Sequence, residues 1–413
     1  MKKSFFALLF ICAFLMTGAQ QYSSYKGLVM AGYQGWFAAQ GDDSHRGWYH
    51  YQGRNGFGPE NCTIDLWPDM KEYTKTYPSP FFFADGRNAP LFSPYDEETI
   101  DLHFKWMKEY GLDGVFMQRF VAEVKRPAGK RHFNQVLRHA LKAAKKYDRA
   151  ICIMYDLSGS SPEDMDLVIR DWQELQSLFS LFDTKENPTY LHHNGKPLLA
   201  IWGIGFNDKR RYSIRNTDYL VEQMAKSGTI SLMLGIPYFW RTFGRDTEND
   251  PDLLALIQKA DVIMPWAVGR YNSQTYEGIA PKTLQGDFQW CKIHQIDYVP
   301  LVFPGFSWGN MRQNKAIIDQ IPREQGRFFW MQVAGAKTAG AEMLYVAMFD
   351  EIDEGTAIFK CAKEEELPLN GNMRFVGIEK ELDSDFYLWL AGEAKKWISG
   401  KQNYNAQIPV RKM

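Results

Sequence analysis

The sequence predicts a (β/α)8 barrel, and three observations support this fold class. Short apolar runs alternate with helical patterns from residue 27 to the end of the chain. Eight such runs occur, and near-continuous apolar runs are typical of parallel strands covered on both faces. No glycine-rich phosphate loop follows a strand, which disfavours an open nucleotide-binding sheet. We therefore expect one α/β barrel domain over residues 20–413.

The order of the elements follows from these runs. The predicted strands cover residues 27–33, 114–118, 150–155, 197–202, 231–237, 261–265, 298–303 and 342–348. The predicted helices cover residues 93–110, 132–147, 162–182, 218–227, 252–259, 281–295, 322–339 and 384–398. The first helix has Ser93 as its expected N-cap and ends at Gly111. A long loop, 36–92, separates the first strand from this helix, and a loop of that length is usually functional.

The N-terminus has the pattern of an export signal. Lys2 and Lys3 precede an apolar stretch over residues 5–16, and the small residues 17–19 follow it. This stretch is too short to span a bilayer comfortably. We expect residues 1–19 to be cleaved, and the mature protein to be periplasmic or extracellular with no membrane anchor.

Composition excludes some partners and favours others. The 48 Lys and Arg residues nearly balance the 49 Asp and Glu residues, which argues against a nucleic-acid partner. Aromatic residues make up 15% of the chain, a supply that suits sugar binding as well as core packing. The four cysteines after the signal (Cys62, Cys152, Cys291 and Cys361) permit disulfides but form no CxxC motif. We expect no metal or other cofactor.

Aromatic or polar residues end nearly every predicted strand. Because parallel strands end on one rim of a barrel, these residues are candidates to line a ligand cleft. Rings with polar tips suit sugars, whose C–H faces stack while their hydroxyls form hydrogen bonds. The candidate binding residues are Tyr33, Gln34, Trp36, Gln118, Arg119, Tyr155, Asp156, Trp202, Tyr238, Trp266, Trp308 and, directly after the last strand, Asp350.

Several of these candidates have structural alternatives. Asp156 is equally compatible with a helix cap at the end of its strand, and Arg119 with an ion pair to one of the acids after the eighth strand. Trp202 and Trp266 can instead close the top of the barrel. Each alternative would remove a residue from the predicted cleft without changing the fold.

A cluster of four carboxylates, Asp350, Glu351, Asp353 and Glu354, follows the eighth predicted strand. Acids at the end of a buried strand are costly unless they have a function or find partners. Two crowded carboxylates push their pKa values apart, so that one can donate a proton while the other accepts one. Glycosidic bond cleavage requires this pair of roles, and Glu351 and Glu354 are the candidate catalytic residues. The alternatives are a salt-bridged loop and, for Asp353, a cap of the following turn.

The segment Phe349-Asp350-Glu351-Ile352-Asp353-Glu354-Gly355-Thr356 resembles the Asn-Glu-Trp-His-Glu-Gly-Thr signature of glycoside hydrolase family 99, the endo-α-mannosidases and endo-α-mannanases. The segments Tyr33-Gln34-Gly35-Trp36-Phe37 and Gly195-Lys196-Pro197 are also similar to that family. The resemblance extends in outline over the mature chain. It implies a barrel that hydrolyses O-glycosyl bonds in an α-linked glycan.

The resemblance also implies a retaining mechanism through participation of the sugar's 2-hydroxyl. Glu351 would be the base on that hydroxyl, and Glu354 the acid and later the base at the glycosidic oxygen. Asp350, Ile352 and Asp353 depart from the signature at positions expected to abut the substrate, which leaves an α-glucan or a xylan-derived substrate open beside an α-mannoside.

Two other function classes stay open. The first is a catalytically silent barrel that binds glycans with the same aromatic cleft. The second, a metal-dependent hydrolase, is weaker because no histidine lies near a predicted strand end.

Overall fold

A computed structural model describes residues 21–411, and within them eight parallel strands form a closed barrel. The strands are β1 Val29–Tyr33, β2 Gly114–Phe120, β3 Ala150–Asp156, β4 Lys196–Trp202, β5 Ser231–Pro237, β6 Val262–Trp266, β7 in two pieces (Asp297–Tyr298 and Leu301–Val302) and β8 Leu344–Val346. The first piece of β7 pairs with β6 and the second with β8, which in turn pairs with β1. This continuous segment therefore closes the ring, and the predicted fold class is confirmed.

Eight helices of six or more residues surround the described part of the barrel. They are α1 Glu97–Tyr110, α2 Pro127–Tyr147, α3 Asp164–Phe179, α4 Ile214–Ala225, α5 Asp252–Ile257, α6 Tyr276–His294, α7 Arg327–Thr338 and α8 Phe386–Ile398. Each overlaps a predicted helix, and Gly111 ends α1 in a left-handed conformation as expected. The predicted N-cap of α1 is wrong. Asp96 occupies that position, and the Ser93 hydroxyl instead donates to Asp42 at 2.6 Å.

The barrel strands are buried on both faces because helices cover them outside and side chains fill them inside. All seven residues of β3 and of β5 are buried. The interior is close-packed at β1, where a Cβ on Gly32 would lie 2.2 Å from the Tyr345 hydroxyl and 2.1 Å from Met348 Cε. Glycine at this position therefore gives the barrel centre room for a tyrosine.

The long loop 36–92 is folded and packs beside the segment that follows β8. It contains an antiparallel hairpin, Tyr77–Phe82 with Asn88–Leu91, and its residues Trp67 and Phe81 are buried. The backbone N–H groups of Asp65 and Leu66 donate to the Ile352 carbonyl at 2.9 and 3.0 Å. The loop is thus attached to the segment that carries the acidic cluster.

The four described cysteines are buried and unpaired, so no disulfide forms among residues 21–411. Cys152 lies in the core, as its apolar surroundings predict. None of the described helices is long and apolar enough to cross a membrane. The predicted export signal, residues 1–19, falls outside the described residues.

Candidate active site

The acidic cluster lies on a closed loop that continues β8. The Met348 N–H donates to the Thr356 carbonyl at 3.1 Å, and the Ile358 N–H donates back to the Met348 carbonyl at 3.0 Å. Gly355 has a φ of 65°, and a Cβ there would lie 2.8 Å from the Ser307 side chain. Glycine is therefore required for this loop to pack against the segment after β7.

Glu351 lies deep in this loop with 5% of its surface exposed. Gln34 Nε2 donates to one carboxylate oxygen, and Thr356 Oγ1 donates to the other at 2.5 Å. Burial, with the nearby charges of Glu354 and Asp353, raises the pKa of Glu351 well above its usual range, and the two hydrogen bonds oppose that rise. Glu351 is thus held rigidly, in a place where charge is costly.

Glu354 is the more exposed of the two glutamates. Its backbone carbonyl accepts the Ser307 N–H at 2.9 Å, which fixes the turn beneath its side chain. Burial and the charges of Asp353 and Asp156 raise the pKa of Glu354 to about 7, whereas the Arg312 guanidinium lowers it. A carboxyl with this pKa is still partly protonated at neutral pH.

Asp350 and Asp353 are fully buried beneath the two glutamates. Asp350 accepts the N–H groups of Gln34 and Gly35 at 2.7 and 2.9 Å, so it fixes the turn after β1. Burial raises the pKa of Asp350 to about 7. The prediction that Asp350 binds substrate is therefore wrong, since both of its oxygens serve the backbone.

Asp353 forms part of the floor of the site. Its Oδ2 lies 3.4 Å from His50 Nδ1, and burial raises the pKa of Asp353 to about 8. Its other oxygen has no partner among the described residues, and the backbone N–H groups of Asp353 and Glu354 oppose the rise in its pKa. Ile352 is also fully buried, so none of the three residues that depart from the family signature has exposed surface.

The inward-facing side chains of the strands converge above the barrel centre near Glu351. Gln118 Nε2 donates to the Tyr345 hydroxyl at 2.9 Å, and the Tyr345 hydroxyl lies close enough for the Glu351 charge to raise its pKa. Asp156 accepts the Ser158 N–H at 2.7 Å, as in a turn, yet its charge also acts on Glu354. The structure therefore brings these predicted residues to one place.

Two partly exposed tryptophans border this region. The rings of Trp202 and Trp266 meet edge to face with centroids 5.2 Å apart, and Trp266 lies 6.4 Å from the Tyr345 ring. The Trp202 indole N–H has no hydrogen-bond partner among the described residues. They form an aromatic border on the β4 and β6 side of the site.

Arg119 and Tyr155 lie at the correct end of the barrel but on its outer face. They are register partners on β2 and β3, and both bind Asp171 of α3. Successive strand residues face opposite sides, so Gln118 and Asp156 face inward while their neighbours face outward. The prediction that Arg119 and Tyr155 bind substrate is wrong, and so is the proposed pairing of Arg119 with Asp350 or Asp353.

Three more predicted site residues are packing residues. The Tyr33 hydroxyl bonds to His103 Nδ1 at 2.7 Å, and Tyr238 is 2% exposed with its ring against Tyr271. Trp36 is 9% exposed, stacked on His50 at 3.8 Å between ring centroids. All three side chains are thus covered by other protein groups.

The segment after β7 carries Trp308 to the other side of the site. Asp65, fully buried, accepts the N–H groups of Gly309 and Asn310, both at 2.8 Å, and the Ser307 hydroxyl. The Trp308 indole donates to Gln320 Oε1 at 2.9 Å. Trp308 is partly exposed on this rigid segment, as its position in the sequence predicts.

Sequence reasoning missed Tyr345, Asp65, His50 and Arg312. Tyr345 lies mid-strand, and inward alternation from the strand pattern could have identified it. Asp65 and His50 belong to the long loop, whose path no local pattern reveals. His50 also shows that a histidine reaches the site from a loop, although no group of three or more His, Cys, Asp and Glu in residues 21–411 could hold a metal ion.

Solved structures of other proteins have a similar fold. A GH99 endo-α-mannosidase from Bacteroides thetaiotaomicron, in complex with bis-tris-propane, superimposes with a TM-score of 0.61 at 17% identity, over 92% of this chain and 99% of that chain. The chain has a family 99-like fold. A second structure of that endo-α-mannosidase gives a TM-score of 0.61 at 16% identity, over 92% of this chain and 100% of the other.

A glycoside hydrolase-like protein matches less closely, with a TM-score of 0.50 at 12% identity, over 84% of this chain and 94% of that chain. No family model and no curated protein matches the chain. The predicted resemblance to family 99 is thus confirmed at the level of fold.

Proposed function

We propose that the protein is an exported glycoside hydrolase that cleaves an α-linked glycan with retention, using Glu351 and Glu354. The observation that carries the proposal is the placement of these two carboxyls. They lie close together in the loop at the carboxyl end of β8, and burial raises the pKa of each; the charge of Glu354 adds to the rise at Glu351, and the charges of Asp353 and Asp156 add to the rise at Glu354. The family 99-like fold supports an α-mannosidic linkage as the first to test.

In the proposed first step, Glu351 takes the proton of the sugar's 2-hydroxyl, and that oxygen attacks C1. The bond from C1 to the glycosidic oxygen breaks, and Glu354 gives its proton to the departing oxygen. In the second step Glu354 takes a proton from water, which attacks C1. The C1–O2 bond of the epoxide-like intermediate then breaks, and O2 recovers its proton from Glu351.

The surroundings of each glutamate suit these roles. The ionised form of Glu351 accepts hydrogen bonds from Gln34 and Thr356, so its orientation and its charge are both supported. Glu354 accepts no side-chain hydrogen bond from the described residues, and a pKa of about 7 lets it carry a proton at neutral pH. The proposed roles therefore require that the pair holds one proton and that this proton lies on Glu354.

The region around the pair has groups suited to a sugar. The side-chain oxygens of Gln34 and Gln118 are buried and accept no hydrogen bond from the described residues, so each can receive a hydroxyl proton. Trp202, Trp266 and Trp308 present partly exposed aromatic surface on two sides.

One observation favours the second candidate, a catalytically silent glycan-binding barrel. Both oxygens of Glu351 are occupied by protein donors, as expected for a residue that only supports the loop. In that case the tryptophans would bind glycan and the acids would have no chemical role.

Release of reducing ends from α-manno-oligosaccharides, α-glucans and xylan-derived oligosaccharides separates the two candidates. A hydrolase yields reducing ends, and proton NMR of the fresh product should show the α-anomer first. Glu354→Gln is the matched inactive control. Binding of a glycan by the native protein with no product from any member of the panel would favour the silent barrel.

A further inference from the structure

We propose that Arg312 forms an anion subsite beside Glu354, so that the preferred glycan carries a carboxylate, sulfate or phosphate group next to the cleaved bond. This inference rests on the proposed function, because it names the substrate class of the same site. It concerns a residue to which the family signature assigns no role.

Arg312 is exposed, and its guanidinium carbon lies 4.3 Å from the centroid of the Trp308 ring. Among residues 21–411, no carboxylate forms an ion pair with it and its side chain donates no hydrogen bond; its recorded side-chain contact is the Trp308 ring. A guanidinium over an indole keeps its N–H edges available, and these edges match the two oxygens of an anionic group. The Arg312 guanidinium is therefore held over the Trp308 ring with no carboxylate partner among the described residues.

The segment that carries Arg312 is fixed against the acidic loop. The Arg312 N–H donates to the Trp308 carbonyl at 3.0 Å, and the neighbouring Ser307 N–H donates to the Glu354 carbonyl at 2.9 Å. Asp65 holds the intervening turn through the N–H groups of Gly309 and Asn310. The Arg312 charge consequently lies close enough to act on the Glu354 carboxyl.

The Trp308 ring supports the same conclusion. The guanidinium covers one face of the indole, so a neutral sugar cannot stack there without displacing it. A sugar bound at this position therefore meets the guanidinium first. An anionic substituent gains from that contact, whereas a plain hydroxyl gains less.

The acids of the site do not exclude an anionic substrate. Glu351, Asp353 and Glu354 lie near one another, and desolvation raises the pKa of each carboxyl. Partial protonation reduces the negative charge that an incoming anion meets. Arg312 offsets part of what remains at the point where the anion would sit.

The test compares binding of α-linked manno-oligosaccharides that carry one uronic carboxylate, one sulfate ester or one phosphate ester with binding of the unsubstituted parent. Calorimetry on Glu354→Gln protein, which does not turn over, gives the preference as a ratio of dissociation constants. We expect the native Arg312 background to prefer at least one acidic glycan by about ten-fold, the size of one charged hydrogen bond. Arg312→Gln should remove most of that preference, and the three substituents identify which anion is used.

Arg138→Gln is the matched control. Arg138 also lies over an aromatic ring, with its guanidinium carbon 5.5 Å from the centroid of Phe179. Arg138 is on the outer helix α2 and Phe179 is at the end of α3. This change should leave the preference ratio as it is in the native background. An equal loss in both variants would show a general effect of surface charge and overturn the proposal.

Hydrolysis assays keep this inference separate from the proposed function. Hydrolysis of neutral glycans with no preference for any acidic one would overturn the anion subsite and leave the hydrolase. A preference that depends on Arg312, without hydrolysis of any glycan, would overturn the hydrolase and leave the subsite. If Arg312→Gln shifts the pH profile but not the preference, Arg312 only tunes Glu354 and the proposal fails.

Discussion

Thr356 donates its hydroxyl hydrogen to Glu351 at 2.5 Å, five residues along the same loop. The backbone reinforces this link, since the Thr356 and Ala357 N–H groups donate to the Glu351 carbonyl at 3.1 and 3.0 Å. The loop therefore holds the carboxylate by its side chain and by its main chain. The ionisation of Glu351 can therefore be changed by removing one hydroxyl group.

We expect Thr356→Val to move the acidic limb of the pH profile to higher pH. The hydroxyl stabilises ionised Glu351, so its loss raises the pKa of Glu351, and the base becomes available only at higher pH. Both limbs of the native profile should lie above the ordinary carboxyl range and report the coupled pair. The measurement is kcat/KM against pH. Thr99→Val, a buried threonine on α1 whose hydroxyl has no partner, should leave the profile unchanged.

Glu354→Gln should abolish hydrolysis of glycans with poor leaving groups, because protonation of the departing oxygen requires an acid. An activated aryl glycoside leaves without that help, so its cleavage should suffer much less. Glu351→Gln should be severe on both substrates, since no base remains for the 2-hydroxyl. Parallel kinetics on the two substrate types check this. Equal, modest losses for both variants would indicate a structural cluster of acids.

Trp308→Ala and Trp36→Ala should separate binding from packing. Trp308 is partly exposed, and its loss should weaken glycan binding by about 1 kcal/mol with little change in melting temperature. Trp36 is buried against His50, so its truncation should reduce the free energy of unfolding by about 3–5 kcal/mol. Calorimetry and urea unfolding measure the two effects. A stable Trp36→Ala protein with weakened glycan binding would show that Trp36 is a binding residue and not a packing residue.

Asp171→Asn should destabilise the fold by about 3–5 kcal/mol, because it leaves the buried Arg119 without its charge partner. Activity per folded molecule should be kept, since this cluster faces outward. Glu174→Gln on the same helix breaks an exposed pair with Lys130 and should cost less than about 1 kcal/mol. Unfolding curves with parallel rate measurements check both changes, and a loss of rate in the stable fraction of Asp171→Asn would contradict this assignment.

The order of strands and helices could be predicted from the sequence because apolar runs and breaker residues are local signals. The acidic loop could also be located, since Glu351 and Glu354 follow the last strand directly. The sequence alone also predicts both members of the pairs Gln118-Arg119 and Tyr155-Asp156 in the cleft. Because neighbouring residues of a strand face opposite sides of the sheet, only one member of each pair can face the cleft.

Two further differences between prediction and structure come from the long loop 36–92. The loop folds His50 back against Trp36, and it brings Asp65 beneath residue 309, a contact between segments 244 residues apart. Hydrophobic periodicity reports which face of an element is buried, but not which loop covers it. The sequence alone therefore predicts Trp36 at the surface and carries no local signal for the contacts of Asp65.

The Asp65 contacts have a consequence for altering this barrel. Asp65 is fully buried, burial raises its pKa, and its oxygens are occupied by Ser307, Gly309 and Asn310. A recombinant barrel that received the segment after β7 from another protein would leave this carboxylate without its donors. When loops are exchanged between such barrels to change substrate specificity, the loop after β1 and the segment after β7 therefore have to be transferred together.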